Sequence, residues 1–278
     1  MFHVEQKIKN IETADFLLTK ESFVLAESEI KGLLKTTPKP SKENLHKYYA
    51  SINYASHNAD RISLFSSAYR FLRSLNHCYK ASFLKGLDKK KSVLDFGSGD
   101  GYFIERLSKK GYNMFGVEPI KYTAIPNVCS SLNNPKIKGK KFSVITAWHS
   151  LEHVYELNST IQSLYDLLEP KGKIVVALPN YDSYDANYYG KYWAGYDAPR
   201  HLWHFNKSSV NKIFTELGFS PMSSYPLFLD SYYISLLSEK YRKSNFAIIR
   251  ALALGSISNL RALFSKQYSS NVFVFQKN

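Results

Sequence analysis

The 278-residue sequence predicts an α/β fold built on a mostly parallel sheet. Two observations carry that class. Between residues 92 and 225, short apolar runs alternate with helix-length segments, and strands separated by helices pair in parallel through right-handed crossovers. The first of those runs passes directly into closely spaced glycines that open a helix, Val93-Leu-Asp95-Phe-Gly97-Ser-Gly99-Asp-Gly101-Tyr102.

Ahead of this region, residues 14–36 alternate weakly and predict short strands or a hairpin. Pro38 and Pro40 break the pattern, and Ser41 is placed to cap a helix running through Leu45 to Tyr49. Residues 61–86 carry Leu64, Phe65, Phe71, Leu72 and Leu75, largely at helical spacing, and predict a long helix. Ser92–Phe96 is a short apolar strand, followed by a helix from Tyr102 to Lys110 and a second strand at Tyr112–Val117. Phe142–Trp148 is another strand, and Asn158 is placed to cap a helix carrying Ile161, Leu164 and Leu168. Glu169-Pro-Lys-Gly172 should stop that helix before a strand at Lys173–Pro179. Asn206 should cap a further helix ending at Gly218. Ser270–Gln276 reads as an added edge strand, separated from residues 219–225 by about forty helix-like residues.

Composition narrows the classes. Hydrophobic residues make up 44% and charged residues 22%, ordinary for a globular chain. The 37 basic and 23 acidic side chains leave a formal charge of 37 − 23 = +14, which favours anionic partners: phosphorylated substrates, nucleic acid or an acidic membrane surface. Cys78 and Cys129 are too few for a disulfide framework, and a reducing cytoplasm is expected. The start, MFHVEQKIKNIE, lacks the apolar core of a signal peptide. The longest apolar stretch, Phe246–Leu254, carries Arg250 and reads as too short to span a bilayer.

Two motifs test and fail. His149-Ser-Leu-Glu152-His153 has the H-x-x-E-H spacing of a zinc peptidase, which needs both imidazoles on one helical turn. His149 ends a β-run, so that geometry is not expected, and no metal is assigned. A dinucleotide fingerprint needs a glycine where Tyr102 stands, and no Gly-Lys-Ser/Thr follows to make a phosphate loop. What remains is Asp95 at a strand end, Gly97 and Gly99 where backbone can approach a ligand, and a helix amino terminus suited to a carboxylate. Glu118, 23 residues after Asp95, ends the next strand, where a carboxylate accepts both ribose hydroxyls. Amino group, carboxylate and ribose together describe S-adenosylmethionine.

VLDFGSGDG, GVEP, FSVITAWHSLEHV, LLEPKGKIVVALPN and the late strand resemble class I S-adenosylmethionine-dependent methyltransferases, closest to the UbiG-like group and to bacterial small-molecule or glycan enzymes. The resemblance implies a Rossmann-like seven-stranded sheet with helices on both faces and an antiparallel last strand. It implies an amino-terminal helical or hairpin extension and lid over 1–87. The cofactor domain would then run over 88–278, with a helical insertion at 226–270. It assigns Asp95, Gly97, Ser98 and Gly99 to the methionine part, Glu118 to the ribose, and Ala147, Trp148 and His149 to the lip beside the methyl group. Ser130, Ser131 and Leu132 are the candidates for adenine contact; Ser143 departs from the acid often found at its position.

The stretch YDSYDANYYGKYWAGYDAPRHLWHF, residues 181–205, is the richest in polar and aromatic side chains and follows a strand on the expected ligand edge. Trp193, Asp197, Arg200 and His204 are candidate substrate residues, with Arg200 paired to Asp197 as the plainer reading. An oxygen acceptor must lose its proton, which nominates His153 and His201 as general base. Tyr54 and His57 belong to a segment resembling the lid of related enzymes. The expected acceptor is a small molecule, a lipid-linked compound or a glycan. An RNA acceptor and a noncatalytic adenosyl-binding or membrane-surface protein are the alternatives, and peripheral membrane contact is a further expectation.

Overall fold

A computed structural model describes residues 10–49, 74–119 and 125–278. At the amino end, β1 (Ile11–Ala14), β2 (Ser22–Glu27) and β3 (Leu34–Thr37) form the expected antiparallel strands. Their inward side chains Phe23, Leu25 and Leu34 are buried. The helix expected after Ser41 is instead a single 3-10 turn, Leu45–Tyr48. Only Tyr48 in that turn is buried, and a helix with no apolar face to bury has little to offset the cost of its nucleus. Of the helix expected over 61–86, residues 74–82 are helical (α1) and the part before 74 lies outside the described residues. Tyr54 and His57 lie outside them as well.

The central region follows the sequence closely. It runs β4 (Ser92–Phe96), α2 (Tyr102–Lys109), β5 (Asn113–Val117), β6 (Val128–Cys129), β7 (Phe142–Trp148), α3 (Leu157–Leu167) and β8 (Leu168–Pro179). β4 pairs in parallel with β5 and β7, β5 with β6, and β7 with β8. Val93, Leu94, Ile145, Ile174 and Val176 are fully buried, as parallel strands covered on both faces require. Two boundaries move. Glu156, not Asn158, occupies the cap position of α3. Glu169-Pro-Lys-Gly172 lies inside β8 instead of before it: Phe142 pairs with Leu168 and Val144 with Lys173, so a bulge absorbs the extra residues.

Beyond β8 come α4 (Tyr184–Tyr189), β9 (Trp203–His204) and α5 (Lys207–Glu216). Asn206 caps α5 as expected, its Oδ1 accepting from Ser209 N at 2.9 Å. β10 (Phe219–Pro226), α6 (Phe228–Tyr241), α7 (Ala247–Ser265) and β11 (Ser270–Lys277) complete the chain. The strands form a four-stranded sheet, β1-β2-β3-β9, and a seven-stranded sheet, β10-β11-β8-β7-β4-β5-β6. Asn180 N donates to Ser269 O, while Lys277 Nζ reaches the carbonyls of Tyr165 and Leu168. β11 therefore runs antiparallel to β8, and the architecture is the expected mostly parallel seven-stranded sheet with helices around it.

The apolar stretch Phe246–Leu254, read as too short to span a bilayer, continues in the structure into a longer helix. α7 has 19 residues and is long and apolar enough by composition. The chain separates into two compact units, each discontinuous in sequence. The meander unit holds the four-stranded sheet, 179–212 and 226–271; the sheet unit holds the described residues from 74 to 178, 213–225 and 272–278. The division expected at 87/88 falls within the sheet unit, and the helical stretch 226–270 groups with the amino-terminal strands.

Candidate functional site

In the sheet unit, the carboxyl end of β4 carries Asp95, 2% exposed and accepting a 2.6 Å hydrogen bond from Thr146 Oγ1 on the neighbouring β7. Burial pushes its carboxyl up to about 6, against the pull of Thr146 and Lys80. The group is thus ionised at neutral pH but held at a cost. Because its folded-state value lies above the ordinary 3.8, the stability linked to it is present at acid pH and lost as pH rises towards about 6. Asp95→Asn should flatten that segment of a denaturation–pH profile of the ligand-free protein.

Asp95, Gly97, Ser98, Gly99 and Trp148 line one cavity of about 240 Å³, together with His77, Lys80, Tyr102 and Phe103. The glycines differ in purpose. A Cβ on Gly97 would meet Ser150 Cβ at 2.4 Å, so this glycine admits a neighbouring side chain; Ser150 Oγ donates to Phe96 O at 2.9 Å. At Gly99, with φ +57°, a Cβ would meet nothing within 4 Å, so its backbone borders open space. Gly99 N donates to Glu118 Oε2 at 2.8 Å, tying the glycine turn to the end of β5. Glu118 N in turn donates to Cys129 O at 2.8 Å, and the exposed Ser130 and Ser131 and half-buried Leu132 follow β6 directly.

Trp148 packs against Phe83 and Phe103, with Lys80 Nζ 5.0 Å from its ring centroid. Trp148 Nε1 and Ser98 Oγ are buried without a protein hydrogen-bond partner among the described residues. Ala147 is fully buried within the sheet. His149 has φ +52° and its Nδ1 lies 3.4 Å from Glu152 Oε1. Ser150, at φ −134° and ψ −31°, stands outside helical geometry before a 3-10 turn, Leu151–His153. His149 and His153 therefore do not share an α-helical turn, and the zinc-helix geometry is absent as expected. His77 was not foreseen. It is 3% exposed, stands edge-on to Tyr102 and Phe103, and is lowered to about 4 by burial and by Arg106, Lys110 and Lys80. Nothing in its local sequence marks it: the helix that carries it is predicted, but its packing against Tyr102 and Phe103 is not a local signal.

The residues nominated from 181–205 fall in the meander unit. Trp193 Nε1 donates to Asp185 Oδ2 at 2.7 Å, and the ring is 2% exposed. Arg200 is buried between Asp197 and Asp15, bonding Asp197 Oδ1 at 2.6 Å, Asp15 Oδ1 at 3.0 Å and Tyr48 O at 3.1 Å. His204 Nε2 lies 2.8 Å from Thr36 Oγ1, and burial keeps its ring well below the usual histidine range, reinforced by His201. The plainer reading of Arg200 holds, with a second carboxylate added. The space between Trp193, His201, Trp203 and His204 is too tight for a water molecule. His201 differs from its neighbours: its Nδ1 lies 3.0 Å from Gly195 O and its Nε2 4.0 Å from Asp197 Oδ2. A carbonyl accepts only from N–H, so Nδ1 is the donor in the Gly195 contact, which holds the ring orientation.

A family model described as a methyltransferase domain matches residues 44–224. The chain belongs to this methyltransferase family. A ubiquinone biosynthesis O-methyltransferase from Haemophilus ducreyi is 32% identical over 108 residues, covering 32% of this chain and 46% of the relative. The chain thus matches about half the length of that enzyme. Among solved structures, the cyclase SpnF aligns with a TM-score of 0.55 at 14% identity, covering 86% of this chain and 97% of its own. Magnesium protoporphyrin IX methyltransferase from Synechocystis, solved with bound S-adenosylhomocysteine, aligns at 0.53 and 13%, covering 86% and 100%. At such identities these structures confirm the class I methyltransferase fold, and a cyclase among them shows that this fold alone does not fix the reaction.

Proposed function

We propose that this methyltransferase uses S-adenosylmethionine to methylate an oxygen of a small-molecule, lipid-linked or glycan acceptor. The observation that carries the reading is the sheet-unit cavity lined by Asp95 and Gly99, with Glu118 bonded to Gly99 N beside it. An ionised, buried Asp95 suits an ammonium, the Gly99 backbone borders open space beside the start of α2, and Glu118 suits vicinal hydroxyls. These groups fit the amino-acid tail and ribose of S-adenosylmethionine.

Bound there, that cofactor supplies an already activated methyl group. The protein's work is then alignment of the acceptor, exclusion of water and, for a hydroxyl acceptor, removal of a proton. Trp148, wedged between Phe83 and Phe103, supplies a rigid apolar wall for the cavity. His153 and His201 are the proposed bases. His201 has its ring oriented by the Gly195 carbonyl, while His153 ends the 3-10 turn after β7. The O-methyltransferase named above supports oxygen as the target.

Calorimetry with S-adenosylmethionine tests the first half; folded protein that binds none would remove it. His201→Ala or His153→Ala should lower turnover at least about a hundredfold, within the usual range for a general base, with cofactor affinity unchanged. A radiolabelled-methyl assay on lipid, glycan and RNA fractions supplies the acceptor for that measurement. Wild-type turnover in both variants would remove the base assignment.

A further inference from the structure

We propose that α7 is a membrane-surface helix whose outward aliphatic face seats in the headgroup region of an anionic bilayer. The helix is amphipathic in an inverted sense. Its inward stripe is made of small residues, Ala251, Gly255, Ser258 and Ala262, all buried at helical spacing. Its outward face carries Ile248, Ile249, Leu252, Leu260, Leu263 and Phe264, which are 47–91% exposed. A globular protein ordinarily turns such side chains inward, and a contiguous exposed patch of them marks an interaction surface.

The inward stripe is fixed to protein. A Cβ on Gly255 would meet Tyr232 at 2.6 Å, Ser231 Oγ donates to Gly255 O, and Asn259 Nδ2 donates to Phe228 O. Ser258 Oγ donates to the buried Asp185 at 2.7 Å. A helix held along its length by α6 and α4 cannot be surrounded by lipid, although its composition would permit crossing. It lies in the plane of the surface, presenting about 28 Å of apolar face at 1.5 Å per residue.

Charge selects the occupant. Lys240, Arg242, Lys243, Arg250, Arg261 and Lys266 are the charged residues from 240 to 271 of the meander unit, with no Asp or Glu among them. Pairing this face with a second copy would bring like charges together, whereas anionic lipid complements them. Arg250 and Arg261 stand at one edge of the apolar arc, partnered by Glu239 and by the face of Tyr184. Their long side chains suit a helix at headgroup depth.

Co-sedimentation of the full chain with phosphatidylcholine vesicles, alone and mixed with phosphatidylglycerol, tests this. The wild type should pellet with the mixed vesicles and be released by high salt. Leu260→Ser with Phe264→Ser should reduce the partition coefficient at least about tenfold, since each inserted large apolar side chain contributes roughly a decade. Lys240→Glu with Lys243→Glu should reduce binding to the mixed vesicles only. Both double variants alter exposed positions and should melt with the wild type. Wild-type protein left in the supernatant would overturn the proposal. So would equal binding to both vesicle types, or a dimer in sedimentation velocity that Leu260→Ser dissociates. None of these readouts depends on the cofactor or the acceptor.

Discussion

Arg200→Leu is expected to destabilise the meander unit by about 3–5 kcal/mol, the cost of leaving a buried charge uncompensated. The guanidinium is 1% exposed. Its Nη2 bonds Asp15 and Asp197, its Nε bonds both oxygens of Asp197, and its Nη1 bonds Tyr48 O. Asp15 is fully buried and also accepts from the backbone N–H groups of Leu17, Leu18 and Thr19. Burial works to raise its carboxyl value, but the Thr19 bond and Arg200 outweigh that, and the net shift is downward. A lowered carboxyl value contributes stability above the ordinary carboxylate range and loses it as pH falls through the folded value. The deficit of Arg200→Leu should therefore be largest at neutral pH and shrink in acid, where Asp15 protonates. Adding Asp15→Asn should recover much of it, and Arg200→Lys, lacking the planar fork, should fall between. Urea denaturation at the two pH values decides; a neutral-pH loss below about 1 kcal/mol would place the pair in the class of surface bridges.

That arginine also shows what a sequence cannot disclose. The strands of the sheet were legible because burial on both faces leaves continuous apolar runs such as Ile174–Leu178, a local signature. The glycine turn and Glu118 were legible because chemistry at a strand end is likewise local. Arg200 was read against Asp197, three residues away, but its other carboxylate is 185 residues distant, and the Thr36 partner of His204 is 168 residues distant. A rich polar-aromatic stretch looks the same whether it faces a ligand or is closed on remote partners. Residues 169–172 deceived for a related reason: the bulge that keeps them in β8 is set by pairing with Phe142 and Val144 on another strand. The facing of α7 was not legible because composition alone does not say which side of an apolar helix packs inward. Only its packing reveals that the small residues face inward.

Glu118→Ala should weaken S-adenosylhomocysteine binding by at least about a hundredfold. Two hydrogen bonds from ribose hydroxyls to a carboxylate contribute roughly 1.5–3 kcal/mol each. Every 1.4 kcal/mol is a tenfold change in Kd. The side chain also accepts from Gly99 N, so part of the loss could arise from a loosened glycine turn. Glu118→Gln separates the two contributions. Its amide oxygen can keep the Gly99 bond while the charge is lost, and about a tenfold weakening is expected. Gly99→Ala adds about 1–2 kcal/mol of strain at φ +57° and places a Cβ in the space beside the ligand, so it should weaken binding without touching the carboxylate. Backbone placement should survive Glu118→Ala, because Glu118 N remains bonded to Cys129 O and β5 remains paired with β6. Thermal midpoints within a few degrees of wild type, with calorimetric affinity reduced in the order Gln then Ala, match a carboxylate that holds the ribose. Wild-type affinity in Glu118→Ala would remove that role from Glu118 and leave the family membership untouched. The ribose site would then have to be sought along the segment after β6.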